Sequence, residues 1–256
     1  MRSLRVQCQT GDQAIELAVR RFTMLCPLED HELDLVRGLA RTLDLFPEGR
    51  ELAREGSAIG APRMIVSGWA SRYKMLPDGR RQILSFLAPG DCIGLCLRAH
   101  PLGLANTIAL SAVQTLALDP ILDAARHDER RYPNLRRAIC VGQAIDEVYL
   151  IEQVVRVGRR TAYERMCHLL LELHHRLAQV GLAQDWRFPM PLTQEILADV
   201  TSLSIVHVNR TLTQLRRERL VEIKQGYVTL LEPTLLVGIA DFSPPEPSEW
   251  RQERAL

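Results

Sequence analysis

Between residues 12 and 45 the chain reads DQAIELAVRRFTMLCPLEDHELDLVRGLARTLDL, with apolar residues at three- and four-residue steps and an interruption at Pro27. This spacing predicts two or three short helices, the second capped near residues 28–30. From Phe46 the texture changes. PEGRELAREG, SGWASRYKMLPDGRRQILSFLAPGD and ANTIALSAVQTLALD are short β-type runs divided by Gly, Pro and Asp. Pro77-Asp78-Gly79 predicts a hairpin turn, because proline presets φ and Asp-Gly tolerates the left-handed region. Several such strands between about 46 and 119 predict a small β-barrel or roll.

The helical period then returns. Over 134–158, Ile145, Val148, Ile151 and Val155 follow three- and four-residue steps, which makes a helix with a seam, long enough to be a dimer stalk. Packing of that seam on the chain's own β-roll is the alternative. Gly158 is a candidate break, followed by RRTAYERMCHLLLELHHRLAQVG, a helix ending at Gly181. WRFPMPLT is a linker or strand.

Thr193 caps a helix QEILADV, and Ser204 caps a second from Ile205 to about Arg219. Apolar residues at 192, 196, 197, 200, 203, 208, 212, 215 and 220 match two helices crossing steeply over one small core. VEIKQGYVTLLE reads as a β-hairpin wing turning at Gln225-Gly226. In a helix-turn-helix the first turns of the second helix meet base edges. There stand His207, Asn209 and Arg210, off the apolar face. Arginine can donate twice to guanine, asparagine can pair with adenine, and histidine can donate to an acceptor or touch a phosphate.

Charge sharpens this picture. The net charge of the 256 residues is only +1, so affinity for nucleic acid must come from a local patch. Residues 205–224 hold Arg210, Arg216, Arg217, Arg219 and Lys224 against Glu218 and Glu222, the surplus that phosphates require. The alternative is a solvated helix end whose arginines complement the helix dipole. No apolar run approaches 18 residues, and the start MRSLRVQCQTGDQ lacks a signal peptide's apolar segment; both point to the cytoplasm and away from a membrane. Six cysteines without a CxxC are expected as reduced thiols. No Gly-rich phosphate loop, nucleophile–base pair or HExxH argues for an enzyme.

The sequence resembles the Crp/Fnr family of bacterial transcription regulators from about Phe22 to Asp241. SGWASRYKMLPDGRRQILSFLAPGDCIGL is similar to the family's β-roll signature. LTQEILADVTSLSIVHVNRTLTQLRRERLVEIKQGYVTL is similar to its winged helix-turn-helix. The resemblance implies a homodimer joined through 134–158, a near-palindromic operator in double-stranded DNA, and contact with RNA polymerase. It places Arg210 at the family's guanine-reading arginine and Ser204 at the opening of the recognition helix. Val206 stands where many members keep a cytosine-reading glutamate, and Ser202 where the connector usually has glycine. Members that bind cyclic AMP carry a glutamate and an Arg-Ser pair where this chain has Leu95 and Gly103-Leu104, so cyclic AMP is not expected; Arg98 is the one nearby cation. Iron–sulfur members cluster cysteines near the amino terminus, whereas Cys8 and Cys26 are far apart. Cys92, Cys96 and His100 offer haem donors, against the plainer reading as small residues of the roll. His174 and His175 point about 100° apart and are expected at the surface.

The expected fold is therefore α+β. Residues 1–133 form N-terminal helices and a cyclic-nucleotide-binding-like β-roll, 134–158 a dimerisation helix, 159–241 a winged helix-turn-helix, and 242–256 a flexible tail. The expected DNA-contacting set is Thr193, Gln194, Ser204, His207, Asn209, Arg210, Arg216 and Lys224. The expected dimer set is Ile145, Val148, Ile151 and Val155. No cofactor or metal is expected, and any small-molecule effector is unidentified. The competing function is a ligand or redox sensor, with Cys167 a candidate thiol, acting through protein contacts beside a vestigial DNA-binding module.

Overall fold

The structure, a computed structural model, describes residues 9–98 and 100–245. These fall into two compact units. One takes in residues 9–72 with Leu87–Val148; the other comprises Tyr73–Phe86 and Tyr149–Pro244.

The first unit opens with α1 (Gly11–Leu25), where Thr10 accepts from the Gln13 amide and Gln13 reaches back to the Thr10 amide at 2.9 Å. Helix α2 (Asp30–Arg37) starts at Glu29, within a residue of the expected cap. Eight strands follow: β1 (Leu43–Phe46), β2 (Glu51–Ala53), β3 (Arg63–Ser67), β4 (Ala70–Met75), β5 (Arg81–Leu87), β6 (Cys92–Ile93), β7 (Asn106–Ala109) and β8 (Val113–Ala117). They make two four-stranded sheets, ordered β1-β8-β3-β6 and β2-β7-β4-β5. The core draws on both, with Ile65, Ile93 and Val113 from the first against Ala70, Leu87 and Ala109 from the second. This is the expected roll. Strands β4 and β5 each pass from one unit into the other along their length.

Two corners explain the signature. At Gly68 (φ +82°) a Cβ would stand 2.1 Å from the Ala112 carbonyl oxygen, so no other residue fits. At the PGD corner the Asp91 carboxylate accepts from the Ala88 amide at 2.7 Å, while the Gly90 amide donates to the Ile65 carbonyl and the Ile65 amide to the Asp91 carbonyl, both at 2.8 Å.

Helix α3 (Asp119–His127) leads to α4 (Pro133–Arg159). The buried Glu32 carboxylate accepts from the amides of Asn134 and Leu135 at 2.9 and 3.0 Å, closing the start of α4 from outside that helix. Leu135, Ala138, Ile139, Val141 and Ile145 are buried. Ile145, expected on an outward seam, is 0% exposed within its own chain, so that expectation is corrected. It belongs to the inner stripe 138–141–145–149, whereas Leu150, Ile151, Val154 and Val155 are exposed. Val148 lies between the two faces.

In the second unit α4 does not break at Gly158 but runs on to Arg159. One glycine costs a helix only about 1 kcal/mol, and the stop comes where Thr161 caps the next helix in a box with Glu164. That helix, α5 (Ala162–Gln179), stops two residues before Gly181 (φ +78°), the glycine expected at its end. Then come β9 (Arg187–Pro189), α6 (Gln194–Thr201), α7 (Ile205–Arg217), β10 (Val221–Lys224), β11 (Tyr227–Leu230) and α8 (Pro233–Ala240). The wing is three-stranded, β10-β11-β9, so the linker-or-strand segment is a strand.

One expectation fails here and another is narrowed. His174 and His175 are half-buried: His174 stacks on Trp186 at 4.5 Å and meets the edge of Phe188, and burial lowers its pKa to about 4. The expected tail at 242–256 begins with a packed residue, since Phe242 lies edge-on to His168 and His175. Its remainder, from 246, lies outside the described residues, as does Cys8. No helix among the described residues is long and apolar enough to cross a membrane.

Candidate nucleic-acid interface

Helices α6 and α7 owe their start points to two hydroxyls. Thr193 accepts from the Ile196 amide at 3.2 Å and Ser204 from the His207 amide at 3.2 Å. Between them Ser202 takes the left-handed conformation (φ +54°), which disfavours a side chain by roughly 1 kcal/mol. Its hydroxyl donates to Gln82 at 2.7 Å, a bond glycine could not make. The hairpin that carries Gln82 holds α6 further: Arg81 donates to Asp199 at 2.8 Å, and Gln82 to the Asp199 carbonyl at 3.0 Å.

Leu197, Val200, Val208, Leu212 and Leu215 are buried, which leaves α7 one outward stripe. Val206, Asn209, Arg210, Thr213, Gln214 and Arg217 line a shallow groove of about 530 Å³ along it. Among the described residues Arg210 makes no hydrogen bond or ion pair. Its exposed guanidinium lines the groove. Ser204 Oγ lies 3.1 Å from Nδ1 of His207. With the hydroxyl proton directed to Nδ1, the imidazole presents its Nε2–H outward. Asn209 accepts weakly from Thr213 at 3.4 Å, leaving its amide group accessible.

The other expected residues are differently disposed. Gln194 opens α6, half-buried. Arg216 is turned back on its own helix, donating to the Leu212 carbonyl at 3.1 Å and Thr213 at 3.3 Å. Six residues at 100° each put it about 120° from Arg210, whereas Arg217 returns to the same face. Lys224 pairs with Glu222 on the wing at 2.5 Å. Thr213, Gln214 and Arg217 also line the groove, at three-, four- and seven-residue steps from Arg210; Arg217 belongs to the expected basic patch, but none of the three is in the expected DNA-contacting set.

A buried polar cluster lies behind the interface. Gln153 of α4 donates to the Val200 carbonyl at 2.7 Å and the Ile83 carbonyl at 3.3 Å. Arg156, 2% exposed, donates to Gln153 at 2.6 Å, to Nδ1 of His168 at 2.9 Å and to Glu172. Arg176 also donates to Glu172 at 3.1 Å, and to the Phe86 carbonyl at 2.9 Å. Arginine only donates, so Nδ1 of His168 accepts and its Nε2–H faces Glu152 at 3.1 Å. Burial, then Arg156 and Arg160, push the pKa of His168 down to about 3. Burial by itself would raise the pKa of Glu172, but Arg156 and Arg176 outweigh it and hold the carboxyl below its ordinary range.

The roll's corner offers an anionic ligand little. Leu95 is half-buried and Leu104 is 76% exposed. A Cβ on Gly103 would meet the Arg54 carbonyl at 2.3 Å, so backbone fills that position. The side chain of Arg98 is exposed, and its carbonyl is held by Arg126 at 2.6 Å. Leu95, Gly103 and Leu104 themselves offer a cyclic nucleotide phosphate neither a cation nor a hydroxyl. Burial pushes the free thiols of Cys92 and Cys167 up to about 12, away from the reactive thiolate.

Comparison with known proteins agrees with the geometry. Residues 164–239 match the Crp-like helix-turn-helix domain, and residues 44–120 the cyclic nucleotide-binding domain. The chain is 31% identical to the nitrogen fixation regulation protein FixK of Bradyrhizobium diazoefficiens, covering 90% of this chain and 94% of that one. It is 34% identical to the transcriptional activatory protein AadR of Rhodopseudomonas palustris, over 80% and 90%. Among solved structures, FixK2 from Bradyrhizobium japonicum shares the fold with a TM-score of 0.67 at 24% identity, covering 79% of this chain and 98% of that one. These relatives are regulators and not enzymes. With its roll, its capped helix pair and its wing, the chain belongs to the Crp/Fnr family of DNA-binding transcription regulators.

Proposed function

We propose that the chain acts as a homodimer on a near-palindromic operator, each copy laying α7 in the major groove. The observation that carries this reading is the outward stripe of α7, with the unpaired Arg210 at its centre and hydroxyl caps fixing its register. Arg210 reads guanine; His207, Asn209, Thr213 and Gln214 contribute at neighbouring bases or phosphates; Arg217, Lys224 and the caps Thr193 and Ser204 meet the backbone. Gln194 and Arg216 are peripheral.

Residues 1–133 serve as a sensor-type roll, 134–158 as the stalk and 159–241 as the DNA-binding module. The stalk contact is formed by Leu150, Ile151, Val154 and Val155 with Val148 at its margin, since apolar side chains exposed together on one helix face need a partner. DNA occupancy is read out through RNA polymerase in the cytoplasm, and any effector is something other than cyclic AMP. Arg210→Ala is expected to weaken binding to a selected operator by about 1–3 kcal/mol with the fold intact, read by titration at fixed salt. Unchanged affinity would refute the assignment of α7. Failure of the wild type to prefer any fragment would instead favour a vestigial module.

A further inference from the structure

Val206 is the second residue of α7 and 77% exposed. Nothing among the described residues accounts for it. A β-branched residue lowers helix propensity slightly, forms no hydrogen bond, and here buries almost nothing. Yet it lines the same groove as Asn209, Arg210, Thr213, Gln214 and Arg217. The steps from 206 to 210, 213 and 217 put all of them on one face. If Arg210 meets a base edge, as the proposed function holds and as this inference requires, Val206 meets one as well.

The chemistry of the major groove then narrows its partner. Base edges there present N7, O6 and O4 acceptors, N4 and N6 donors, and one apolar group, the thymine C5-methyl. A valine pressed on an acceptor or donor removes water without replacing the hydrogen bond. Pressed on the methyl, it buries apolar surface on both sides. We infer that Val206 reads the C5-methyl of one thymine in each half-site, specifying T·A at that pair. Four residues of helix advance about 6 Å, close to two base-pair steps, so the thymine lies within roughly two pairs of the guanine read by Arg210.

The test uses the full chain and a site selected from random duplexes, with each thymine replaced singly by deoxyuridine, which pairs identically but lacks the methyl. One replacement per half-site is expected to weaken wild-type binding by about three- to tenfold. The same replacement should leave Val206→Ser, a change at an exposed position, unaffected. Val206→Glu should shift the preference at that pair toward C·G, since a carboxylate accepts from cytosine N4. A selected site with an Arg210-dependent guanine but no deoxyuridine effect, or an equal effect in wild type and Val206→Ser, would overturn the inference while leaving the regulator reading standing. If no site is selected at all, both fall.

Discussion

The two halves of α4 are built in opposite senses. Up to Val148 the inner face is apolar, with Leu135, Ala138, Val141 and Ile145 buried. From Tyr149 onward the inner face includes Gln153 and Arg156, both nearly inaccessible, while the outer face carries Leu150, Ile151, Val154 and Val155. Polar inside and apolar outside inverts the usual amphipathic helix. The inversion teaches that two demands meet on one element. On the inner side of the second half Gln153 bonds to the carbonyls of Ile83 and Val200, and Arg156 to Gln153, His168 and Glu172, which apolar residues could not do. The outer ones are those that the proposed function assigns to a second copy of the chain.

The strongest test of this contrast exchanges the outer surface. Val154→Asp, at a position 69% exposed, should leave the protomer's unfolding free energy nearly unchanged. Sedimentation should nevertheless show monomers, and operator affinity should fall to the non-specific level, about a thousandfold or more. Ile145→Ala is the control: about 2–5 kcal/mol of stability should be lost from a fully buried site. A Val154→Asp protein that remains dimeric would remove the outer face from the dimer proposal.

Next in size is the inner polar face. Arg156→Met leaves Glu172 with Arg176 alone and strips a donor from Gln153 and His168. Breaking a buried pair by removing one partner typically costs about 3–5 kcal/mol, to be read from denaturant unfolding. A loss below about 1 kcal/mol would mean that the cluster contributes little and that the inversion reflects only the outer surface.

This half of α4 is also where the sequence was least legible. The caps at Thr193 and Ser204, the Pro77-Asp78-Gly79 turn and the PGD corner are local chemistry, and each stands where its residues put it. The direction of the α4 seam is not local. Ile145 and Val154 are nine residues apart and so about 180° apart on a helix, yet both are apolar; only the partners of Gln153 and Arg156 reveal which side faces inward. Those partners, His168 and Glu172, lie on another helix and look like ordinary surface residues when read alone. Similarly, Arg216 and Arg217 carry the same charge, and only helix geometry separates the one folded onto Thr213 from the one facing the groove.

A smaller effect follows from pH. The folded chain keeps His168 neutral down to about pH 3, whereas an unfolded histidine takes up a proton near 6.5. Between those values the unfolded chain binds more protons, so stability is full above about 6.5 and falls as pH drops, by up to about 1.4 kcal/mol per unit. Glu172, with its lowered pKa, adds a loss of the same sign once pH falls below the ordinary carboxylate value of 4.5. His168→Asn should flatten the slope of unfolding free energy between about pH 6 and 5. An unchanged slope would place the responsible proton elsewhere.

The smallest expected effect probes the apolar half at its origin. Glu32 is fully buried, one carboxylate oxygen accepting from Asn134 and Leu135 and the other from Glu29. Glu32→Gln keeps the shape but faces an amide NH₂ toward at least one backbone donor and removes the negative charge from the start of α4. The expected loss is about 1–2 kcal/mol in thermal or denaturant unfolding, without change in oligomeric state. If dimerisation weakened along with stability, the two halves of α4 could not be acting separately, because a cap on the apolar half would then be felt on the outer face of the other.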